Sequence, residues 1–264
     1  MADKSTDERS EAAASPYTRA DLYDLLFDGY QVDLDFYLGA ARAAAGPVLD
    51  LGCGTGRVLL PMLEAGIDVD GVDNAPEMLA RLRVNARARG LTPRVELADM
   101  RRFPVPRRYA LVMIPFNAFA HNLTASDQLG TLRSCHDALR SGGRLLFDAF
   151  SATPEMLAHP VTEPVLELET KHPKTGLPVR LYDARTLDVA TQTQHSRIEI
   201  HELDAAGTVA RVHRFETSVR WVAPSEMESL LRGAGFTRSE MMGGFDGRPV
   251  AGHSGSIVVS AWRD

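Results

Sequence analysis

The sequence predicts an α/β fold, a doubly wound and mostly parallel sheet with an antiparallel β flap inserted into it. Three observations predict this. Apolar strand-like runs alternate with helix-period segments from residue 48 to 150. A Gly52-x-Gly54-x-Gly56 turn joins the first strand to the first helix of that series. The alternation then breaks into four extended segments before one helix and two strands resume.

Residues 1–16 are polar, charged and alanine-rich and read as a mobile tail. Thr18-x-x-Asp21 has the form of a capping box, opening a helix with Leu22, Leu25 and Leu26 on one face and Gly29 beyond its end. A second helix carries Leu34, Leu38 and Ala41, with Gly46 as its stop. Residues 48–51 form the first strand and 58–64 the next helix, where Pro61 is expected to distort the ladder. Residues 67–72 form the second strand. Pro76 opens a helix that turns Met78, Leu79, Leu82 and Ala86 inward.

Residues 94–98 and 109–114 supply two more strands, the latter apolar enough to be buried on both faces. Thr124-x-x-Asp127 opens a helix bearing Leu129, Leu132, Cys135 and Leu139, with Gly142-Gly143 as its stop before a strand at 144–147. Residues 164–170, 178–187, 194–203 and 210–222 are extended, with Asp204-Ala-Ala-Gly207 as a hairpin turn. A helix at 225–233 and strands at 236–242 and 256–262 close the series. The expected organisation is residues 17–150 and 223–264 as one domain, with 151–222 as a flap inserted in it.

Composition excludes several functions. A formal net charge of −6 with scattered arginines argues against a nucleic-acid surface. No apolar run approaches a membrane span, and the N-terminus lacks an apolar signal core. Cys53 and Cys135 are expected to stay reduced, which fits a cytoplasmic protein.

The glycine spacing selects among nucleotide ligands. A dinucleotide fingerprint needs glycine at position 57, where this chain has Arg57. A Gly-x-Gly-x-Gly turn suits S-adenosylmethionine (SAM), which has no pyrophosphate. Asp73 ends the second strand, beside Asn74, where a carboxylate can hold both ribose hydroxyls. Asp99-Met100 follows the third strand and suits the adenine amine and ring face, while Asp50 is a candidate for the ligand's ammonium. Asp73 as a helix N-cap and Asp99 as a loop acid are the plain alternatives. Their order after successive strands favours the cofactor.

With these motifs the chain resembles the class I SAM-dependent methyltransferases. Val48-Leu-Asp-Leu-Gly-Cys-Gly-Thr-Gly56, Val69-Asp-Gly-Val-Asp-Asn-Ala-Pro-Glu-Met78 and Ala98-Asp-Met100 look like their first three motifs, and Leu139-x-x-Gly-Gly-Arg-Leu-Leu146 like the approach to their fifth strand. The resemblance implies a seven-stranded sheet with its last strand antiparallel. Tyr23-Asp-Leu-Leu-Phe27 and Phe116-Asn-Ala-Phe-Ala-His121 are similar to small-molecule enzymes such as the amino-sugar and glycine N-methyltransferases. That similarity implies Tyr23 or Tyr30 closing over SAM and His121 facing the acceptor.

The acceptor is expected past the fourth strand. There Phe116 and Phe119 are candidate walls and Asn117 and His121 candidate polar groups, His121 as base or orienter. Asp148 and Phe150 are candidates for the floor. Ordinary packing is the alternative for the phenylalanines, and a surface position for the histidine. No metal is expected, because no carboxylate set or histidine spacing supports one. The expected reaction moves a methyl group to nitrogen, oxygen or carbon of a small molecule, nitrogen being favoured by the resemblance alone. A SAM-binding module without turnover is the rival reading. An exposed flap edge offers a surface for homodimer pairing.

Overall fold

A 3-10 turn at Pro16–Thr18 leads into helices α1 (Ala20–Phe27) and α2 (Leu34–Ala43). Strand and helix then alternate through β1 (Val48–Leu51), α3 (Leu59–Glu64), β2 (Val69–Asp73), α4 (Pro76–Ala88), β3 (Arg94–Leu97), β4 (Tyr109–Ile114), α5 (Ala125–Ala138) and β5 (Leu139–Phe150). A short helix α6 (Pro154–Ala158) precedes β6 (Val165–Lys171), β7 (Pro178–Asp188), β8 (Thr193–Leu203) and β9 (Val209–Arg220). Helix α7 (Pro224–Gly233) and strands β10 (Arg238–Met242) and β11 (Ser256–Trp262) complete the chain. This computed structural model describes residues 14–251 and 254–264.

Seven strands form one sheet in the order β3-β2-β1-β4-β5-β11-β10. Strands β1 to β5 pair in parallel, and β11 runs antiparallel to both β5 and β10. The order reverses between β1 and β4, and that switch point opens a crevice at the carboxyl ends of the strands. Every residue of β4 is buried, because helices cover both faces of the sheet. On one side Leu132, Cys135, Met227 and Leu231 pack on Leu49, Leu51, Val112 and Ile114. On the other, Tyr37, Leu59, Leu60, Leu79 and Leu82 pack on Val48, Leu111 and Met113. Cys53 and Cys135 are free and belong to opposite cores.

Strands β6 to β9 form a second, antiparallel sheet between β5 and α7. Its Val179, Leu181, Ile200 and Phe215 pack against Leu22 and Leu26 of α1. Helix α1 is itself tied to α4 by Arg81–Asp24 at 2.6 Å. Strand β9 consequently lies against the 3-10 turn Ala118–His121 that follows β4.

Four local expectations are corrected. Thr18 does not cap α1: its hydroxyl donates to the Ser15 carbonyl, and Arg19 takes the N-cap position while its guanidinium binds Asp21. Pro61 does not distort α3. It is the third helical residue, where an N–H would have no acceptor within the helix. Gly142-Gly143 does not stop α5, which ends at Ala138. These glycines form an irregularity in β5, where Arg144 pairs with Leu111 although Leu139 pairs with Tyr109, and Gly142 has φ +72°. The tail expectation fails at its end. Ala14 bridges to Phe215 and its carbonyl accepts from Glu216 N, while residues 1–13 lie outside the described ones.

Candidate active site

The crevice contains a cavity of about 560 Å³. That size is ordinary for a small-molecule site. Its floor is the glycine turn after β1, where Gly52 and Gly54 have φ +80° and +54°. A Cβ on Gly52 would stand 3.0 Å from the Ala118 Cβ, so a side chain is excluded by space as well as by conformation. Asp73 sits at the tip of β2. Its Oδ2 accepts from Gly54 N and its Oδ1 from Ala75 N, both at 2.8 Å. Burial raises the Asp73 carboxyl above the usual range, and the backbone N–H groups of Ala75, Gly54 and Asn74 oppose that rise. Each carboxylate oxygen keeps a lone pair for a ligand.

A recess of about 30 Å³ adjoins the cavity and shares Gly52, Gly54, Tyr23 and Phe116 with it. It is lined by Asp50, which is 1% exposed. Neither carboxylate oxygen of Asp50 has a partner among the described residues. Burial pushes this carboxyl up to about 7, against the pull of Arg57. The Arg57 guanidinium pairs with Asp33 at 2.6 and 2.7 Å, both side chains buried, and lies over the rings of Tyr30 and Phe116. An orphaned buried acid of this kind fits an ammonium entering the recess.

The end of the cavity beyond β4 is aromatic and polar. Phe116 and Asn117 follow β4 with φ +59° and +56°, a strained pair outside glycine. Asp148 on β5 holds them: its Oδ1 accepts from Phe116 N at 2.9 Å and its Oδ2 from Asn117 N at 2.7 Å, with Tyr37 donating its hydroxyl to Oδ1. Burial pushes the Asp148 carboxyl up to about 6, and the hydrogen bonds restrain it. The turn that follows delivers His121, whose Nε2 lies 2.7 Å from the Tyr17 hydroxyl oxygen, the two rings edge to face. Burial lowers the His121 pKa and raises that of Tyr17. Strands β8 and β9 add His195, Glu216, Thr217 and Ser218 to the wall, with His195 Nδ1 and Ser218 Oγ 2.8 Å apart.

Of the residues expected from sequence, Gly52, Gly54, Asp73, Asn74, Met100, Phe116, Tyr23 and His121 line this cavity and Asp50 its recess. Four others do not. Gly56 faces the core, where a Cβ would meet Leu60 at 2.8 Å. The Asp99 carboxylate is turned away to Arg101. Asn117 keeps its side-chain oxygen buried without a partner, outside the cavity lining. Tyr30 sits behind Phe116, the rings tilted by 58° with centres 5.2 Å apart. Asp148 is a brace under the loop rather than a floor of the cavity, and Phe119 is core.

Sequence reasoning missed Tyr17, Arg57 and the four wall residues of β8 and β9. A tyrosine directly after the polar tail was a signal for Tyr17. The wall had none, since cross-strand register alone sets His195 opposite Ser218.

This doubly wound sheet with its crevice at the switch point is the fold of solved SAM-dependent methyltransferases. Residues 48–143 match the family described as a methyltransferase domain. The glycine/sarcosine N-methyltransferase of Halorhodospira halochloris is 33% identical over 117 residues, 43% of this chain and 44% of that protein. The chain spans about half the length of the curated relatives it matches. Two solved structures share the fold over nearly the whole chain. A S-adenosylmethionine-dependent methyltransferase from Clostridium acetobutylicum superposes with a TM-score of 0.76 at 18% identity, covering 92% of this chain and 97% of that one. The CcbJ methyltransferase from Streptomyces caelestis gives 0.75 at 25% identity, covering 94% and 98%.

Among the described residues no helix is long and apolar enough to cross a membrane, and no group of three metal-binding side chains occurs.

Proposed function

We propose that this protein transfers a methyl group from SAM to a small-molecule acceptor, with nitrogen as the favoured atom. One observation carries the reading. A single crevice holds an unpartnered buried acid at one end, a backbone-anchored acid beside the glycine turn, and a Tyr17–His121 pair at the other. The name of the Halorhodospira relative supports nitrogen.

In this reading Asp50 binds the ammonium of SAM, Asp73 the ribose hydroxyls, and Met100 packs on the adenine. When bound, SAM supplies a methyl group on a positively charged sulfur, open to in-line attack by a lone pair. The chain's own task is to align the acceptor and exclude water. Phe116, held between the inclined rings of Phe27 and Tyr30, walls the transfer point. Tyr23 closes the cavity from α1, and strands β6 to β9 roof the acceptor half. Burial lowers the His121 pKa and so favours the neutral imidazole; with Tyr17 it orients the acceptor, and the proton an amine must lose passes to the Tyr17 oxygen as the phenol's own proton passes to Nε2.

The cavity is open and lined by polar groups, which favours turnover over a binding module without chemistry. The test is calorimetry with SAM and S-adenosylhomocysteine, followed by a metabolite screen with labelled SAM. Micromolar binding of both and label in a small amine are expected. Absence of SAM binding, or label in no small molecule, would reject the proposal.

A further inference from the structure

The cavity wall carries acids and, among the described residues, neither lysine nor arginine. Its carboxylates are Asp73, Glu77 and Glu216, and its basic groups are the rings of His121 and His195. The nearby guanidinium of Arg57 opens only onto the recess and is committed to Asp33. That of Arg101 lies outside the cavity, between Asp99 and Asp127.

Resting on the methyl-transfer reading, we propose that the acceptor is a neutral or cationic hydroxylated amine, and that the cavity rejects acceptors bearing phosphate or carboxylate. Taking an anion out of water is costly unless a cation meets it, and sites for such groups present arginine or lysine. Here an anionic acceptor would meet Glu216 instead.

The acceptor half is also the half with hydroxyls. Ser218 and Glu216 are two apart on β9 and so share a face, and His195 is the register partner of Ser218 on β8. His195 Nε2 lies 3.7 Å from the Glu216 carboxylate. Glu216 is fixed at its backbone, its N–H donating to the Ala14 carbonyl. With Tyr17 and His121, these groups offer donors and acceptors for several hydroxyls and one carboxylate for an ammonium. Glu216 is thus the specificity-determining residue.

The test uses the whole chain loaded with S-adenosylhomocysteine. Inorganic pyrophosphate titrated by calorimetry is expected to bind more weakly than about 1 mM. Tighter binding overturns the inference. Each acceptor found with labelled SAM is then compared with its phosphorylated counterpart, and glycine is run as a carboxylate-bearing amine. A preference of at least about tenfold for the unphosphorylated form, and no turnover of glycine, are expected. Preference for the anionic form overturns the proposal. Glu216→Gln is expected to raise the acceptor KM about tenfold with S-adenosylhomocysteine affinity unchanged, and Glu216→Asp to recover part of it. An unchanged KM removes Glu216 from the role. Failure to bind S-adenosylhomocysteine at all rejects the methyl-transfer reading instead, so the two failures are separable.

Discussion

The Tyr17 hydroxyl lies 2.7 Å from His121 Nε2, joining the start of the described chain to the turn after β4. Burial keeps the tyrosine protonated, and in the tautomer that leaves Nε2 bare the phenol donates and the imidazole accepts. The pair fixes the imidazole in one orientation at the cavity wall. Removing either partner is expected to disturb chemistry more than cofactor binding. His121→Ala should lower kcat by about 100-fold and Tyr17→Phe by less, with SAM affinity intact, as for other positioned acid–base groups. Steady-state kinetics with the acceptor and calorimetry with SAM check this. Wild-type kcat in His121→Ala would exclude the residue from proton transfer.

Asp73 carries two backbone N–H groups and faces the cavity. Asp73→Ala is expected to weaken SAM binding by at least about tenfold, the loss of one charge-assisted hydrogen-bonding group. It should also cost about 1–3 kcal/mol of stability, since Gly54 N and Ala75 N lose their acceptor. Calorimetry and chemical denaturation separate the two effects. A folded variant with unchanged SAM affinity would remove Asp73 from the ligand.

With Asp50 as the proposed partner of the ammonium, SAM binding is expected to depend on pH. Its carboxyl is pushed up to about 7, so in the free protein it is partly protonated at neutral pH. An ammonium needs the carboxylate, so binding expels the proton, and affinity should fall by up to about tenfold per unit as pH drops below about 7. For the stability of the free fold the sign is the opposite. The folded pKa lies above the unfolded value of about 3.9, so the free fold is favoured by this group at low pH and loses that contribution as pH rises from about 4 through about 7. Asp50→Asn should abolish the pH dependence of binding. A flat affinity profile in the wild type over that window would contradict the assignment.

Asp148 braces the strained loop. Asp148→Ala leaves the N–H groups of Phe116 and Asn117 without an acceptor and the Tyr37 hydroxyl unpaired. A loss of about 2–4 kcal/mol is expected by denaturant titration. A change below about 0.5 kcal/mol, within the range of ordinary surface substitutions, would show that the loop holds its shape unaided.

Much of the scaffold was legible because its causes are local. Alternation of apolar period, Pro76 at a helix start and the Thr124 cap each follow from backbone geometry within a few residues. The same local reasoning misread Pro61 and Gly142-Gly143. A proline's cost depends on its helical position, and a glycine pair serves a strand irregularity as well as a helix end. For the site, Gly52, Gly54 and Asp73 could be read from spacing along consecutive strands. Asp99 could not be judged that way, since Arg101, two residues on, competes for its carboxylate.

The sequence by itself determined the sheet, the glycine floor and the acid at the tip of β2, because these are set by neighbours along the chain. Only the tertiary structure decided which polar groups share the cavity. Tyr17 meets His121, Asp148 captures Phe116 and Asn117, and Glu216 and His195 come to the acceptor wall through contacts between residues far apart in sequence. Burial then sets their charge states: the same carboxyl that is an ordinary acid in an unfolded chain becomes, at Asp50, a group poised near neutrality.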